Sequence, residues 1–167
     1  MVYAPSRAFV GSTDDPTRVY HELHSGDWWW DTQNRLPDGA TVVPIILAVD
    51  KTQLSLLSGD VAAWPIYLTI GNLSREARRR RTTPGTLLAG FIPTTKPLDP
   101  GTKSRIYHYC MGKLLSPIEE PARSGVPLEC ADGLTRQCYP TMCAILADYE
   151  EQVLLTGVKK NRHCTRC

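Results

Sequence analysis

The sequence predicts an α/β fold with three consecutive strands, a helix, an inserted hairpin, a further strand and a second helix. Three short apolar runs closed by turn residues have the composition of strands. Downstream, apolar residues recur at spacings of three and four, the period of a helix with one buried face. With 167 residues, 42% of them hydrophobic and 22% charged, the chain has the composition of one soluble globular domain.

The first part of the chain carries few structural signals. Residues 1–25 are expected to form an irregular lead-in segment, because proline, glycine and aspartate interrupt each short apolar group. Three adjacent tryptophans follow, Trp28, Trp29 and Trp30, and their indoles cannot all point one way in a helix or a strand. We expect at least two to pack in the core, and stacking on nucleic-acid bases is the alternative use.

The first three strands are predicted at residues 41–49, 64–70 and 86–92, and they should be consecutive and antiparallel. The first is almost entirely β-branched or aliphatic, which is typical of a strand buried on both faces. Its proline, Pro44, lacks an N–H group, so its early part is expected at an edge or a bulge. Asp50 follows this strand directly.

A run of four arginines, Arg78, Arg79, Arg80 and Arg81, lies between the second and third strands. Ser74 is a suitable N-cap for a short helix there, and an ordered basic loop is the alternative. Such runs are commonly solvated surface, but they can also contact DNA phosphates. The formal net charge is only +2, so overall charge does not by itself indicate a nucleic-acid partner.

A long helix and a hairpin come next. The helix predicted over residues 101–123 should end near Pro117 or Pro121, because proline interrupts the helical hydrogen bonds. The hairpin is predicted around Asp132 and Gly133, since an Asp-Gly pair is a strong signal for a tight turn.

A further strand, over residues 142–147, ends at Asp148, and a second helix follows it. Three strands, a helix and a further strand, with an aspartate after the first and the last, form the arrangement expected of a ribonuclease-H-like core. Neighbouring strands can bring two carboxylates together on Mg²⁺ or Mn²⁺. Asp50 and Asp148 are therefore the candidate catalytic and metal-binding residues, although strand-end aspartates often only cap a turn or a helix. Lys51 would line the same edge of the sheet.

Two of the six cysteines, Cys164 and Cys167, are separated by the two-residue gap of a zinc-binding or redox pair. The pair supplies half of a tetrahedral Zn²⁺ site, which we prefer to a redox role because no thioredoxin-like pattern precedes it. No apolar run reaches the roughly 18 residues of a membrane span, and no secretory signal is present. These observations predict an intracellular, reducing compartment.

Seven local motifs carry a resemblance to a known family: DWWW (27–30), LPDGATVVPIILAVDKTQLS (36–55), WPIYLTIGNL (from 64), LLAGFIPTTK (ending at 96), CADG (130–133), ILADYEEQ (from 145) and HCTRC (163–167). Together they resemble the N-terminal part of the catalytic domain of fungal Plavaka-type DNA transposases, relatives of the CACTA class. The resemblance implies cut-and-paste chemistry in the nucleus on the DNA of transposon ends, and it allows a homo-oligomer of the intact transposase.

That resemblance also implies an Asp/Asp/Glu site, in which two aspartates and a later glutamate hold the metal ions for DNA strand cleavage and transfer. Asp50 matches the first aspartate and Asp148 the second. Asp132 is the lower-ranked alternative for the second, because Gly133 beside it makes a turn role sufficient.

The division that follows from this comparison is a partial ribonuclease-H-like core over residues 26–160 and the start of a zinc-binding insertion over 161–167. The glutamate and the remaining zinc ligands would lie downstream, so we expect a C-terminally truncated fragment that is catalytically incomplete alone. The alternative is a decayed or domesticated module that binds DNA or protein without chemistry.

Overall fold

The computed structural model describes residues 1–53, 62–80, 82, 84–94 and 99–165. Over these residues the chain forms a five-stranded mixed sheet, two small two-stranded sheets and four α-helices. The predicted α/β class is thereby confirmed. None of the helices in the described ranges is both long enough and apolar enough to cross a membrane.

The N-terminal segment contains a hairpin, so the expectation of an irregular lead-in is wrong for its middle. Strands β1 (Ala8–Ser12) and β2 (Asp15–Val19) pair antiparallel, and a short 3-10 helix, Leu23–Ser25, follows them. All five residues of β1 are exposed. The hairpin therefore lacks the alternation of apolar and polar residues by which a half-buried strand is recognised.

The three tryptophans lie on helix α1 (Asp27–Gln33). Trp29 is completely buried, whereas Trp28 and Trp30 are half-buried. The Arg7 guanidinium stands 4.8 Å from the centroid of the Trp30 ring. One indole thus anchors the core, and the other two lie at its margin.

The remaining strands are β3 (Thr41–Val49), β4 (Thr52–Gln53), β5 (Ala62–Ala63), β6 (Pro65–Ile70), β7 (Thr86–Phe91), β8 (Val126–Glu129) and β9 (Thr135–Ala147). Strands β4 and β5 form a small antiparallel pair of their own. The other five form one sheet in the order β7-β6-β3-β9-β8.

Strand β3 is the middle strand of this sheet, so the expectation that its early part lies on an edge strand is wrong, whereas a bulge at Pro44 stays a prediction. The Pro44 carbonyl accepts a hydrogen bond from the Gly71 N–H (N to O 2.8 Å), and the Val42 carbonyl accepts one from the Asn72 side-chain amide (3.1 Å). Strand β6 therefore runs antiparallel to β3. The N and O atoms of one residue point to the same side of a strand, so the Pro44 N atom, which carries no hydrogen, also faces the end of β6.

The pairing of β6 with β7 confirms the last of the three predicted strands. The Ile92 N–H donates to the Trp64 carbonyl (2.8 Å), and the Thr69 hydroxyl donates to the Gly85 carbonyl (2.5 Å). As residue numbers rise along β6 they fall along β7, so the two strands are antiparallel. All three strands lie side by side, as predicted.

Strand β9 runs without a break through Pro140, where the sequence predicts a hairpin and a separate strand over residues 142–147. It pairs antiparallel with β8, and Gly133 in the connecting turn has φ +77°, which confirms the predicted hairpin. The five-stranded sheet is mixed, and three of its four pairs are antiparallel. The remaining pair, β3 with β9, is therefore parallel.

Two helices flank strand β7 along the chain. Helix α2 (Arg75–Arg79) is the predicted short basic helix, and the Ser74 hydroxyl caps it by accepting from the Ala77 N–H (3.2 Å). Helix α3 (Pro100–Ser124) is the predicted long helix, and Tyr107 and Met111 on its apolar face are buried.

The expected end of α3 near Pro117 or Pro121 is wrong, because the helix continues through both prolines. In an uninterrupted helix the N–H of residue 117 would donate to the Lys113 carbonyl. The Ser116 hydroxyl donates to that carbonyl instead (3.2 Å), so the acceptor that proline leaves open is satisfied.

Helix α4 (Tyr149–Thr156) is the predicted helix after the last strand, and it stops at Gly157, which has φ +68°. By contacts the chain divides into two compact units. The first unit comprises Met1–Ile45, Thr69–Thr86 and Ile118–Cys143, and the second comprises Ile46–Leu68, Leu87–Pro117 and Ala144–Cys167.

Candidate metal and nucleic-acid site

The two candidate aspartates follow neighbouring strands within the second unit. Strand β3 ends at buried Val49 and is followed by exposed Asp50. Strand β9 ends at Ala147 and is followed by exposed Asp148. Because β3 and β9 are parallel neighbours, both aspartates come at the carboxyl end of the strands, where α/β sheets commonly bind ligands.

The two carboxylates differ in their local contacts. Asp148 is the N-cap of α4, and its Oδ1 accepts a hydrogen bond from the Glu151 N–H (2.9 Å). Its Oδ2 has no recorded hydrogen bond among the described residues. Within the same ranges no hydrogen bond reaches the Asp50 carboxylate. Three of the four carboxylate oxygens are therefore available to a cation.

Asp132, the lower-ranked alternative, is held by its own hairpin in the first unit. Both of its oxygens accept from the Arg136 guanidinium at 2.7 Å, and Oδ1 also accepts from the Leu134 N–H (3.2 Å). The hydrogen bonds from Arg136 hold the pKa of the Asp132 carboxyl below its ordinary value. These contacts give Asp132 a complete structural role.

Positive side chains surround the carboxyl end of the strands. The Nζ atoms of Lys51 and Lys103 lie 5.9 Å and 5.3 Å from the centroid of the Trp64 ring. Glu150 and Lys160 form an ion pair. That pair lowers the pKa of Glu150, and the charges of Lys103 and Lys51 lower it further, which places both lysines within electrostatic reach of Glu150.

Asp148 also lies within electrostatic reach of this ion pair. Glu150 is the main cause of the raised pKa of Lys160, and the Asp148 carboxylate adds to it. The edge thus carries three carboxylates, Asp50, Asp148 and Glu150, beside three lysines. Because Lys160 and Glu150 pair with each other, Lys51 and Lys103 remain for anionic groups, and Asp50 and Asp148 remain for a cation.

The donor set for a metal is partial. Over the described ranges, no group of three or more histidine, cysteine, aspartate or glutamate side chains converges as a metal site. Asp50 and Asp148 supply two carboxylate ligands at most. Two carboxylates are a ligand set that Mg²⁺ can use, because Mg²⁺ usually keeps several waters and takes one or two protein carboxylates together with substrate phosphates. The same set could hold Mn²⁺.

The predicted zinc pair is only half within the described structure. Cys164 is exposed, and Cys167 lies outside the described residues. The Thr165 hydroxyl donates to the Gln152 side-chain carbonyl (2.7 Å), which ties this segment to α4. Zinc binding by Cys164 and Cys167 stays a prediction.

The described arginines of the run differ in their surroundings. Arg78 is half-buried, with its guanidinium 3.7 Å from the Glu22 carboxylate. Arg79 and Arg80 are exposed, and Arg81 lies outside the described residues. Of the three described arginines, Arg79 and Arg80 are therefore the two that are exposed to an anion such as a DNA phosphate.

A family model described as Plavaka transposase matches residues 1–167, which is the whole chain. The chain belongs to the Plavaka transposase family. This membership confirms the family resemblance read from the seven motifs, and it implies an interaction with DNA. No curated protein and no solved structure matches this Plavaka transposase chain.

Sequence reasoning missed part of the charged edge of this member of the Plavaka transposase family. It identified Asp50, Asp148 and Lys51, but not Lys103, Glu150 or Lys160. Lys103 lies on α3, far along the chain from Trp64, and no spacing rule joins a helix lysine to a distant indole. The sequence signal for Glu150 and Lys160 was weak: an acidic pair, Glu150 and Glu151, follows the strand-end Asp148, and two lysines come several residues later.

Proposed function

We propose that this Plavaka transposase chain carries a ribonuclease-H-like core for metal-dependent DNA strand cleavage and transfer, with Asp50 and Asp148 as ligands of Mg²⁺ or Mn²⁺. The observation that carries the proposal is the parallel pairing of β3 with β9, each followed directly by an aspartate. The strand order supports it, because the three consecutive antiparallel strands are joined by the strand that follows the long helix.

In this proposal the chain's own residues bind and orient. The free oxygens of Asp50 and Asp148 would hold the cation, and the nearby lysines would attract the DNA backbone. The bound ion would polarise a phosphate oxygen and lower the pKa of a bound water. The family resemblance adds a later glutamate as third ligand, so we propose that these two carboxylates alone bind metal weakly and that this chain does not cleave DNA by itself.

A second candidate function is a non-catalytic module that binds DNA or protein. One observation favours it: Asp148 already caps α4, and that role is sufficient to retain an aspartate there without any metal. The two functions differ in whether Asp50, which has no capping role in the structure, takes part in cation binding.

The test is calorimetric titration of the chain with Mn²⁺, comparing the wild type with Asp50→Asn. We expect the wild type to bind and Asp50→Asn to lose on the order of tenfold or more in affinity, because ligand loss costs at least as much as loss of a supporting group. Asp38→Asn, in an exposed turn, is the matched control and should bind as the wild type does. A folded wild type that binds no Mn²⁺ would overturn the proposal in favour of the non-catalytic module.

A further inference from the structure

Two lysines share one buried indole at the edge that carries Asp50. Trp64 is only 3% exposed, so its ring is a fixed part of the second unit. Lys51 reaches it from the residue after Asp50, and Lys103 reaches it from the first turns of α3. Elements distant in sequence thus bring two ammonium groups to one side chain.

This arrangement orders the lysines before any ligand binds. A lysine side chain on open surface loses rotamer freedom when it binds an anion, which weakens binding. Contact with an aromatic ring restricts that freedom in advance and adds a cation–π attraction. Two like charges on one ring also repel each other, and a bound anion would relieve that repulsion.

Over the part of the chain that the structure describes, the two lysines have no carboxylate partner of their own. Glu150, which is within electrostatic reach of both, is already paired with Lys160. Among the described residues neither Lys51 nor Lys103 forms an ion pair. The edge holds three carboxylates and three lysines, so a cation on Asp50 and Asp148, as in the proposed function, would give it a net positive charge.

We propose that Lys51 and Lys103, held on Trp64, form a phosphate-binding pair that positions the DNA backbone beside Asp50. The ligand class is a nucleic-acid phosphodiester, because the chain belongs to a transposase family and a compact ammonium group binds phosphate as a point charge. This inference rests on the proposed function for its setting. Both lysines are positioning residues in it, since neither ligates the metal.

The experiment measures binding of a short fluorescein-labelled DNA duplex by fluorescence anisotropy, at several salt concentrations and in EDTA. We expect Lys51→Gln/Lys103→Gln to weaken binding on the order of tenfold near 0.1 M salt and to reduce the slope of log K against log salt by about one, the loss of one phosphate contact. Lys51→Arg/Lys103→Arg keeps both charges and should restore the affinity and the slope.

The matched control is Lys113→Gln/Lys159→Gln. Lys113 lies on the same helix with its Nζ 5.6 Å from the centroid of the Tyr109 ring, and both control lysines are exposed. The control removes the same charge, so the proposal requires its affinity and slope to stay close to the wild type. An unchanged slope in a folded Lys51→Gln/Lys103→Gln variant, or an equal loss in the control, would overturn the proposal.

The two proposals fail in different ways. The DNA measurement contains EDTA, so it reports on the lysine pair whether or not the aspartates bind metal. Loss of DNA affinity on lysine substitution, with no Mn²⁺ binding by the wild type, would sustain the lysine pair and reject the metal site. Mn²⁺ binding with DNA affinity unaffected by the lysines would do the reverse.

Discussion

An aspartate lies near each end of strand β9, and the two carboxylates differ in how many of their oxygens accept hydrogen bonds. At its start, Asp132 lies in the hairpin turn, where Arg136 and the Leu134 N–H occupy both carboxylate oxygens. At its end, Asp148 uses one oxygen to cap α4 and lies near the lysine of an ion pair. Position at a strand end is therefore not enough to identify a metal ligand. The two aspartates differ in the number of carboxylate oxygens that are free of hydrogen bonds.

The largest expected difference between the two ends concerns metal affinity. Asp148→Asn should lower Mn²⁺ affinity on the order of tenfold or more, because it removes the charge of a proposed ligand. Asp132→Asn should leave the affinity unchanged, since Arg136 already neutralises that carboxylate. Calorimetric titration of both variants measures this, and equal losses at the two positions would show that the number of free oxygens does not distinguish the two aspartates.

The next difference concerns stability at the α4 end. Asp148→Ala should lower the free energy of unfolding by about 1 kcal/mol, since the Glu151 N–H loses its capping acceptor. Asp148→Asn keeps a capping oxygen and should be close to the wild type. Urea denaturation at neutral pH measures both variants. Equal losses for alanine and asparagine would show that the charge of Asp148, and not its cap, stabilises the helix.

The smallest effect is a pH dependence at the hairpin end. Arg136 holds the pKa of Asp132 below its ordinary value, so the ion pair stabilises the fold above a pH of about 4 and is lost as pH falls through the folded-state pKa. Asp132→Asn should therefore be less stable than the wild type at pH 7, with the difference vanishing in acid. Because the pair is exposed, added salt should reduce the difference.

Denaturation of the wild type and Asp132→Asn over a series of pH values falling from pH 7 into acid, with and without added salt, gives the comparison. A stability difference that stays constant over the whole series would mean that the substitution acts through the geometry of the turn rather than through the charge of Asp132.

Two elements were predicted correctly because their burial shows directly in the pattern of apolar residues. Strand β3 is a continuous apolar run, and α3 places Tyr107 and Met111 one turn apart on its buried face. Two of the failures concern prolines, because the rules for proline leave out groups nearby that compensate for its missing N–H. The Ser116 hydroxyl occupies the carbonyl that Pro117 leaves open in α3, and the N atom of Pro44 faces the end of β6 and not a continuous strand.

Some residues of the candidate site could be predicted from the sequence, and others could not. Asp50 and Asp148 were predictable because each follows an apolar run at a strand end. The grouping of Lys103 with Trp64 was not, because it depends on where the first turns of α3 meet a residue that precedes β6. Side chains that act through tertiary contact leave no spacing signal in one sequence.

The two prolines of α3 have a consequence for how the helix opens. Each removes one N–H from the ladder of hydrogen bonds, and cooperative helix opening depends on an unbroken ladder. The first of them, Pro117, is also where the chain passes from one compact unit to the other. We therefore expect residues 118–124 to exchange their amide protons with solvent independently of the turns that carry Tyr107 and Met111, although α3 is one continuous helix.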